Sequence, residues 1–370
     1  MPASPNFTSS RNCFHVCAGA PPLVVRNSGM TNQDSFPTDF LKLNEMNFDV
    51  ILKSAAVIAA ALLCSSCLVG RYMVDYALLP EEHGNDIEGD RKVAEQRYPG
   101  IIEWYDTLVE QGVFKDTTTV GYSHDGKEYK LWAMYAPASD PSIARGTAIV
   151  VHGYTDNHIC FLNLVRMYRD ELNYNVFVPD LHYHGYSEGN AVRMGWFDRY
   201  DVEKFVVMAH DIFNNDFEVL HGVSMGAATV MMVSGDENPP YLRAVVEDCG
   251  YASVWGQYKH SLKALFHLPT FPVLNSANVV CRHRYGWDFK EASSVDQVAK
   301  STIPMLFIHG DNDDFVLTSD VYEVYNAKTE GYKELWLAPG SAHAMSYKDH
   351  PEEYTTRVRS FLDKVRDENL

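Results

Sequence analysis

The sequence predicts an α/β fold: a mostly parallel central sheet of about eight strands flanked by helices, with a small helical cap. Three observations carry this. First, short apolar runs at 147–152, 176–179, 218–221, 244–247, 304–309 and 334–337 alternate with helix-period stretches at about 160–172, 199–213, 225–234, 319–326 and 352–366. Such alternation builds parallel strand pairs, because each return to the sheet needs a crossover. Second, residues 117–135 read as a hairpin, with alternating strands around the turn His124-Asp125-Gly126-Lys127. Third, the rhythm breaks at about 250–300, a stretch rich in Tyr251, Trp255, Tyr258, Phe266, Phe271 and Trp287. Pro269 and Pro272 prevent one long helix there, so the stretch reads as a helical cap between two strands.

Upstream of the hairpin the chain changes character. Residues 1–45 are polar, rich in Asn, Ser and Pro, and lack periodicity; they read as disordered or as a non-native extension, with Met46 as a plausible start. Residues 46–70 read as a signal peptide or membrane anchor, because an uncharged apolar run from Ser54 to Gly70 is flanked by Lys53 and Arg71. Its length fits a signal-peptide core better than a full span. A cleaved or lipidated signal comes first, since Leu63-Cys64-Ser65-Ser66-Cys67 resembles a loose bacterial lipobox with Cys67 as acceptor. An uncleaved anchor comes second and a buried core helix third. The expectation is an exported protein of a bacterial envelope or the extracellular space, with membrane association through this segment. Residues 71–116 read as a linker and N-terminal helices, with Ile101, Ile102, Trp104, Tyr105 and Leu108 at helical spacing near the end. The remaining 117–370 is long enough for one large domain.

Composition excludes some classes. The formal charge is −18, from 31 Lys and Arg against 49 Asp and Glu, which disfavours nucleic acid as a partner. Of the seven cysteines, Cys160, Cys249 and Cys281 lie in the body, far apart and odd in number, and read as buried small apolar residues. No metal-ligand spacing, dinucleotide fingerprint or phosphate loop is present, so no metal and no cofactor is expected.

The chemistry centres on Gly222-Val223-Ser224-Met225-Gly226, set between an apolar strand and a small-residue helix. A serine on a sharp strand-to-helix turn needs glycines two residues away on either side, where a side chain would strike the neighbouring strand or helix. A serine hydroxyl also needs a base as it attacks, histidine suits that role near neutrality, and the histidine needs a carboxylate to fix its tautomer. Both follow Ser224 in strand-end loops. His309-Gly310-Asp311-Asn312-Asp313-Asp314-Phe315-Val316 supplies the acid and Gly340-Ser341-Ala342-His343 the histidine. The order Ser, Asp, His is that of nucleophile-elbow hydrolases.

These motifs, with Val151-His152-Gly153-Tyr154 after the first parallel strand, resemble those of the α/β-hydrolase superfamily from about Thr117 to the C-terminus. Within it the chain looks most like bacterial esterase-like and serine-aminopeptidase-like members with an N-terminal export segment. The resemblance implies Ser224 as nucleophile, His343 as base and then acid, Asp313 as the residue orienting His343, and the backbone N–H groups of Tyr154 and Met225 as the oxyanion hole. Asp311, Asp314 and Asp248 are rivals for the acid. Asp180-Leu181-His182-Tyr183-His184-Gly185-Tyr186-Ser187-Glu188-Gly189 resembles a further family loop but departs at His182 and Tyr183, so it is assigned no chemistry. His152 and His309 read as structural, and His158, His182, His184 and His221 as structural or substrate-facing.

The expected activity is hydrolysis of a small carboxylic ester through an acyl-enzyme, falling on the acid side as His343 takes up a proton. A serine peptidase acting on short peptides is the second reading; it needs acids for a free α-amino group, for which Glu247, Asp248 and Glu188 are candidates. A non-enzymatic envelope protein on the same fold is the third.

Overall fold

The computed structural model describes residues 68–370. The expectations for residues 1–67, including most of the apolar run, lie outside the described residues.

One eight-stranded sheet forms the centre, in the order β1-β2-β4-β3-β5-β6-β7-β8. The strands are β1 (Lys115–Val120), β2 (Lys130–Ala136), β3 (Thr147–Val151), β4 (Asn175–Pro179), β5 (Glu218–Val223), β6 (Leu242–Asp248), β7 (Met305–Gly310) and β8 (Lys333–Ala338). β2 runs antiparallel to β1 and β4, and the six strands from β3 onward are mutually parallel. Every residue of β3, β4 and β5 is buried, Glu218 and His221 of β5 included, because helices cover both faces. Successive side chains go to opposite faces. Ile149, Val151 and Leu220 pack with Phe205, Ala228 and Val324 on one side, whereas Ala148, Val150 and Val219 pack with Ile101, Leu164 and Phe361 on the other.

The first face is covered by α5 (Asp198–Phe213), α6 (Met225–Ser234) and α10 (Thr318–Ala327), the second by α3 (Ile101–Glu110), α4 (Leu162–Arg166) and α12 (Pro351–Asp367). The segment expected as one helix over 160–172 is instead a 3₁₀ turn (His158–Phe161), then α4, then a π turn (Met167–Glu171). The Asn157 side chain accepts from the Ile159 N–H and sets the tight entry, and the Leu172 N–H closes onto the Met167 carbonyl at 3.0 Å and widens the exit.

The stretch expected as a linker and N-terminal helices, 71–116, opens within α1 (residues 68–78) and continues through α2 (Ile87–Arg97) to α3. α1 packs on the body through Gly70, Val74 and Leu78, and its Leu78 carbonyl accepts from the Val192 N–H at 2.9 Å. Between β6 and β7 lie α7 (Val254–Phe266), α8 (Thr270–Tyr285) and α9 (Ser294–Val298). His267 ends α7 in the left-handed conformation, and Phe271 breaks the helical geometry beside Pro272. α7 and α8 form a two-helix layer, while α9 packs back on the body, with Gln297 against Gly235 at the end of α6.

β5 opens on a buried carboxyl group with a measurable consequence. Neither oxygen of Glu218 has a hydrogen-bond partner among the described residues; the nearest cationic candidate is His210 Nδ1 at 4.0 Å. Burial, reinforced by Asp211, pushes this carboxyl up to about 9. The folded chain therefore keeps a proton that the unfolded chain releases above about 4.5, so this group's contribution to stability falls as pH rises from about 4.5 toward 9. Glu218→Gln removes the titration. We expect its Tm to exceed that of the parent at pH 8 by more than it does at pH 5; an identical difference at both pH values would contradict the assignment.

Candidate active site

The parallel register brings the ends of β3, β5, β6, β7 and β8 to one edge of the sheet, with Val151 opposite Gly222, Gly222 opposite Glu247, and Asp248 opposite Ile308. Loops and turns leaving that edge hold Tyr154, Ser224, Asp313 and His343.

Ser224 sits between β5 and α6 with φ 58° and ψ −117°, a conformation that side-chain-bearing residues adopt rarely. Its N–H donates to the Asp248 carbonyl at 2.8 Å, and its carbonyl accepts from the Ala228 N–H at 3.0 Å. The turn is tight enough to require both glycines. A Cβ on Gly222 would lie 2.2 Å from the Gly226 carbonyl oxygen, and one on Gly226 would lie 2.1 Å from that of Val151. Both obstacles are backbone, so no side-chain motion relieves them.

The Ser224 Oγ lies 2.8 Å from His343 Nε2, and His343 Nδ1 lies 2.7 Å from Asp313 Oδ2. With Nδ1–H donating to the carboxylate, Nε2 is left to accept the serine proton. Asp313 is buried, and its other oxygen accepts from the N–H groups of Phe315 and Val316, both at 3.0 Å. Burial alone would raise this carboxyl, but hydrogen bonds from His309 and His343 bring it down to about 2. It is therefore ionised at neutral pH and able to stabilise a protonated His343. His309, read from sequence as structural, is part of this arrangement: its Nε2 lies 3.0 Å from the Val316 carbonyl oxygen and 3.4 Å from Asp313 Oδ2. Burial disfavours its charged form, but Asp313, Glu247 and the Val316 carbonyl together raise its pKa.

Two of the rival acids are engaged elsewhere, and the third is exposed. Asp311 Oδ1 accepts from the Gly340 N–H at 2.6 Å and ties the acid loop to the histidine loop. Asp314 is exposed, and His260 contacts its backbone carbonyl at 3.0 Å. Asp248 accepts from the hydroxyls of Ser346 at 3.1 Å and Tyr354 at 3.0 Å. Tyr354 in turn lies 2.8 Å from His221 Nε2, and the Tyr168 hydroxyl lies 3.0 Å from His221 Nδ1. This buried chain, from Asp248 to Tyr168, passes through His221 of β5. It accounts for His221, which the sequence left as structural or substrate-facing.

The loop after β3 is held next to the serine. His152 donates through Nδ1 to the Gly153 carbonyl and accepts the Leu181 N–H at Nε2, both at 2.8 Å. A Cβ placed on Gly153 would come within 3.5 Å of Ser224 Cβ. Tyr154 follows, its hydroxyl donating to the Ala77 carbonyl of α1 at 3.0 Å. Met225 is the first residue of α6, so its N–H has no intrahelical acceptor and marks the positive end of the helix.

The loop left without chemistry is a brace. Asp180 accepts from the N–H groups of His158 and Tyr186, both at 2.9 Å. Gly185, at φ 53°, passes so close that a Cβ there would lie 2.1 Å from the Asp180 carboxylate. His182 is held by Asn190 and Arg193, and His184 by the His182 carbonyl and the Thr155 N–H. Cys249, expected as a buried small residue, is buried, but it also stands with Asp313 and His343 in a group whose candidate ligand atoms lie within 4.8 Å of one another. The histidine and carboxylate of that group already bond each other, and the histidine also bonds Ser224. A strand-end cysteine gives no pattern from which sequence could have placed it there.

A serine held in this way can attack a carbonyl carbon while His343 takes its proton. The chain is similar to several known proteins. The model of the Prolyl oligopeptidase family matches residues 196–368, which include Ser224, Asp313 and His343. The uncharacterised protein YqkD of Bacillus subtilis is 31% identical over 247 residues, spanning 66% of this chain and 78% of YqkD. YfhR of Escherichia coli K12 is 26% identical over 239 residues, spanning 64% of this chain and 77% of its own. Among solved structures, an esterase of Pyrococcus furiosus superposes with a TM-score of 0.54 at 21% identity, covering 69% of this chain and 94% of its own; at that identity the likeness speaks for the fold. The eight-stranded sheet, the nucleophile turn and these relatives place the chain in the α/β-hydrolase superfamily of serine hydrolases, in the same family as YqkD.

Proposed function

We propose that the protein hydrolyses small carboxylic esters through an acyl-enzyme, with Ser224 as nucleophile, His343 as base and then acid, and Asp313 as the residue that orients and charges against His343. The continuous contact from Ser224 Oγ through His343 to Asp313 carries the reading. Attack on the ester carbonyl transfers the serine proton to His343 Nε2 and places the oxyanion near the backbone N–H groups of Tyr154 and Met225. Each such donor is worth roughly 2.7–4 kcal/mol in comparable sites. Collapse of the intermediate returns the proton to the departing alcohol. Water, activated by the same histidine, then releases the acid.

Esters are favoured over an aminopeptidase substrate because the candidate amine-binding acids are occupied. Glu247 Oε2 accepts from the Gly250 N–H at 3.0 Å, and burial pushes that carboxyl up to about 8. Asp248 is bound by Ser346 and Tyr354, and Glu188 accepts the Lys130 N–H at the start of β2. Phe315 lies beside His343, tilted at 53° with 4.9 Å between ring centres, and offers an apolar surface to an acyl or alcohol group. The test is a series of p-nitrophenyl esters of increasing acyl length beside p-nitroanilides of single amino acids. The reading expects ester turnover with a clear length optimum and little anilide cleavage. Preferential anilide cleavage would move the assignment to a peptidase. Export and membrane anchoring through residues 46–70 remain part of this proposal; among the described residues no helix is long and apolar enough to cross a membrane.

A further inference from the structure

Residues 254–285, which make up α7 and α8, contain Lys259, Lys263, Arg282 and Arg284 and not one aspartate or glutamate, in a chain of net charge −18. The two-helix layer is thus a local inversion of the protein's charge. Two of its acidic neighbours are already paired. Asp75 of α1 is bound by Arg284 and lies 3.9 Å from Arg71, and Asp288 lies 3.6 Å from Arg282. Lys259 and Lys263 are exposed and have no acidic partner among the described residues.

Apolar side chains stand in water on the same layer. Phe271 is 75% exposed and Val279 62%, and with Asn275 and Arg282 they follow one another along the outer stripe of α8, opposite the buried Leu274, Ala277 and Cys281. α1 shows the same division. Gly70, Val74 and Leu78 face the body, whereas Leu68, Tyr72 and Tyr76 form an outer stripe, with Leu68 71% and Tyr72 62% exposed. α1 lies against α8, where a Cβ on Gly70 of its inner stripe would lie 2.7 Å from the Ser276 carbonyl carbon, and Tyr76 of its outer stripe meets Phe266 of α7 at 5.1 Å.

We propose that the outer stripes of α1 and α8, ringed by the cations of α7 and α8, form a docking face for an anionic lipid bilayer. Charge complementarity selects the anionic surface, and the exposed Phe271, Val279, Leu68 and Tyr72 supply the apolar contact that headgroup attraction alone lacks. The occupant is a bilayer rather than an acidic polypeptide because the sequence leads into α1 from the uncharged apolar run 54–70, whose last residues, 68–70, are the first turn of α1. The face also adjoins the Ser224 site. α7 is bonded to the acid loop through Gln257 Nε2 to the Phe315 carbonyl at 2.9 Å and His260 to that of Asp314 at 3.0 Å. Docking therefore holds the site beside the lipid phase, where an apolar ester concentrates.

The test is co-sedimentation of the full-length chain with phosphatidylcholine vesicles, with and without phosphatidylglycerol. The apolar run can bind any bilayer, so the readout is the ratio of partition onto anionic and neutral vesicles, which needs no turnover and is independent of the ester reading. A near-surface Lys or Arg contributes about 5-fold to anionic partition, so Lys263→Glu with Arg282→Glu is expected to cut the ratio by about 25-fold or more. Added salt lowers it in the parent. Phe271→Ser weakens binding to both vesicles and leaves the ratio unchanged. Circular dichroism and Tm report whether the variants fold. Lys263→Gln with Arg282→Gln, which sets no new carboxylate beside Asp288, keeps the test readable if the reversal does not. Equal partition of the parent onto both vesicles, or an unchanged ratio in the folded double variant, would overturn the proposal.

Discussion

Ser224→Ala is expected to lower kcat for a short p-nitrophenyl ester by about six orders of magnitude, the scale seen when a nucleophile acting in concert with its histidine is deleted. The expectation rests on the 2.8 Å contact between Ser224 Oγ and His343 Nε2 and on the strained turn that holds the hydroxyl at the sheet edge. Alanine fits the same backbone and removes only the oxygen, so Tm and circular dichroism stay close to those of the parent. A folded variant that retains even a hundredth of the parent rate would show that another group attacks.

Asp313→Asn is expected to cost about four orders of magnitude in kcat. The amide keeps the shape of the carboxylate but not its charge, and if its NH₂ faces His343 it imposes the wrong tautomer on the ring. Stability changes too. Because the Asp313 carboxyl is depressed to about 2, its contribution is present above the ordinary carboxylate value and is lost as pH falls toward 2. Kinetic assays at neutral pH therefore compare the variant with a parent whose carboxylate is ionised. The rival acids give the control. Asp311→Asn disturbs a loop contact to Gly340 and Asp248→Asn a buried network to Ser346 and Tyr354, so both are expected to lose far less kcat than Asp313→Asn. Equal losses at Asp248 and Asp313 would move the orienting role.

Much of this site was legible in the sequence because its requirements are local. Gly222 and Gly226 are demanded by backbone only a few residues or one strand away, and the acid and histidine each leave the sheet at the end of an apolar run. β3 was readable because burial on both faces leaves no polar break from Ala148 to Val151. What the sequence hid depends on partners distant along the chain. Asp248 reads as a possible catalytic acid until Ser346 and Tyr354 close on it from the last two helical segments, α11 (Ser346–Asp349) and α12. His309 reads as part of a strand-end motif, and only the fold of its own loop brings Asp313 back within 3.4 Å of it. α1 follows a signal-like run and carries exposed Arg71 and Tyr72, so it reads as a linker; its buried stripe of Gly70, Val74 and Leu78 is too short to stand out against them. The helix expected over 160–172 failed because its ends answer to Asn157 and to the Met167 carbonyl, which periodicity does not register.

The central claim is that Ser224 carries the acyl group. It is tested most directly by quenching the enzyme during turnover of a slow p-nitrophenyl ester and locating the added mass by peptide mass spectrometry. The account predicts a single acyl adduct on the peptide containing Ser224, appearing with a burst of p-nitrophenol and absent in Ser224→Ala. Turnover with no adduct, or an adduct on another residue, would contradict it.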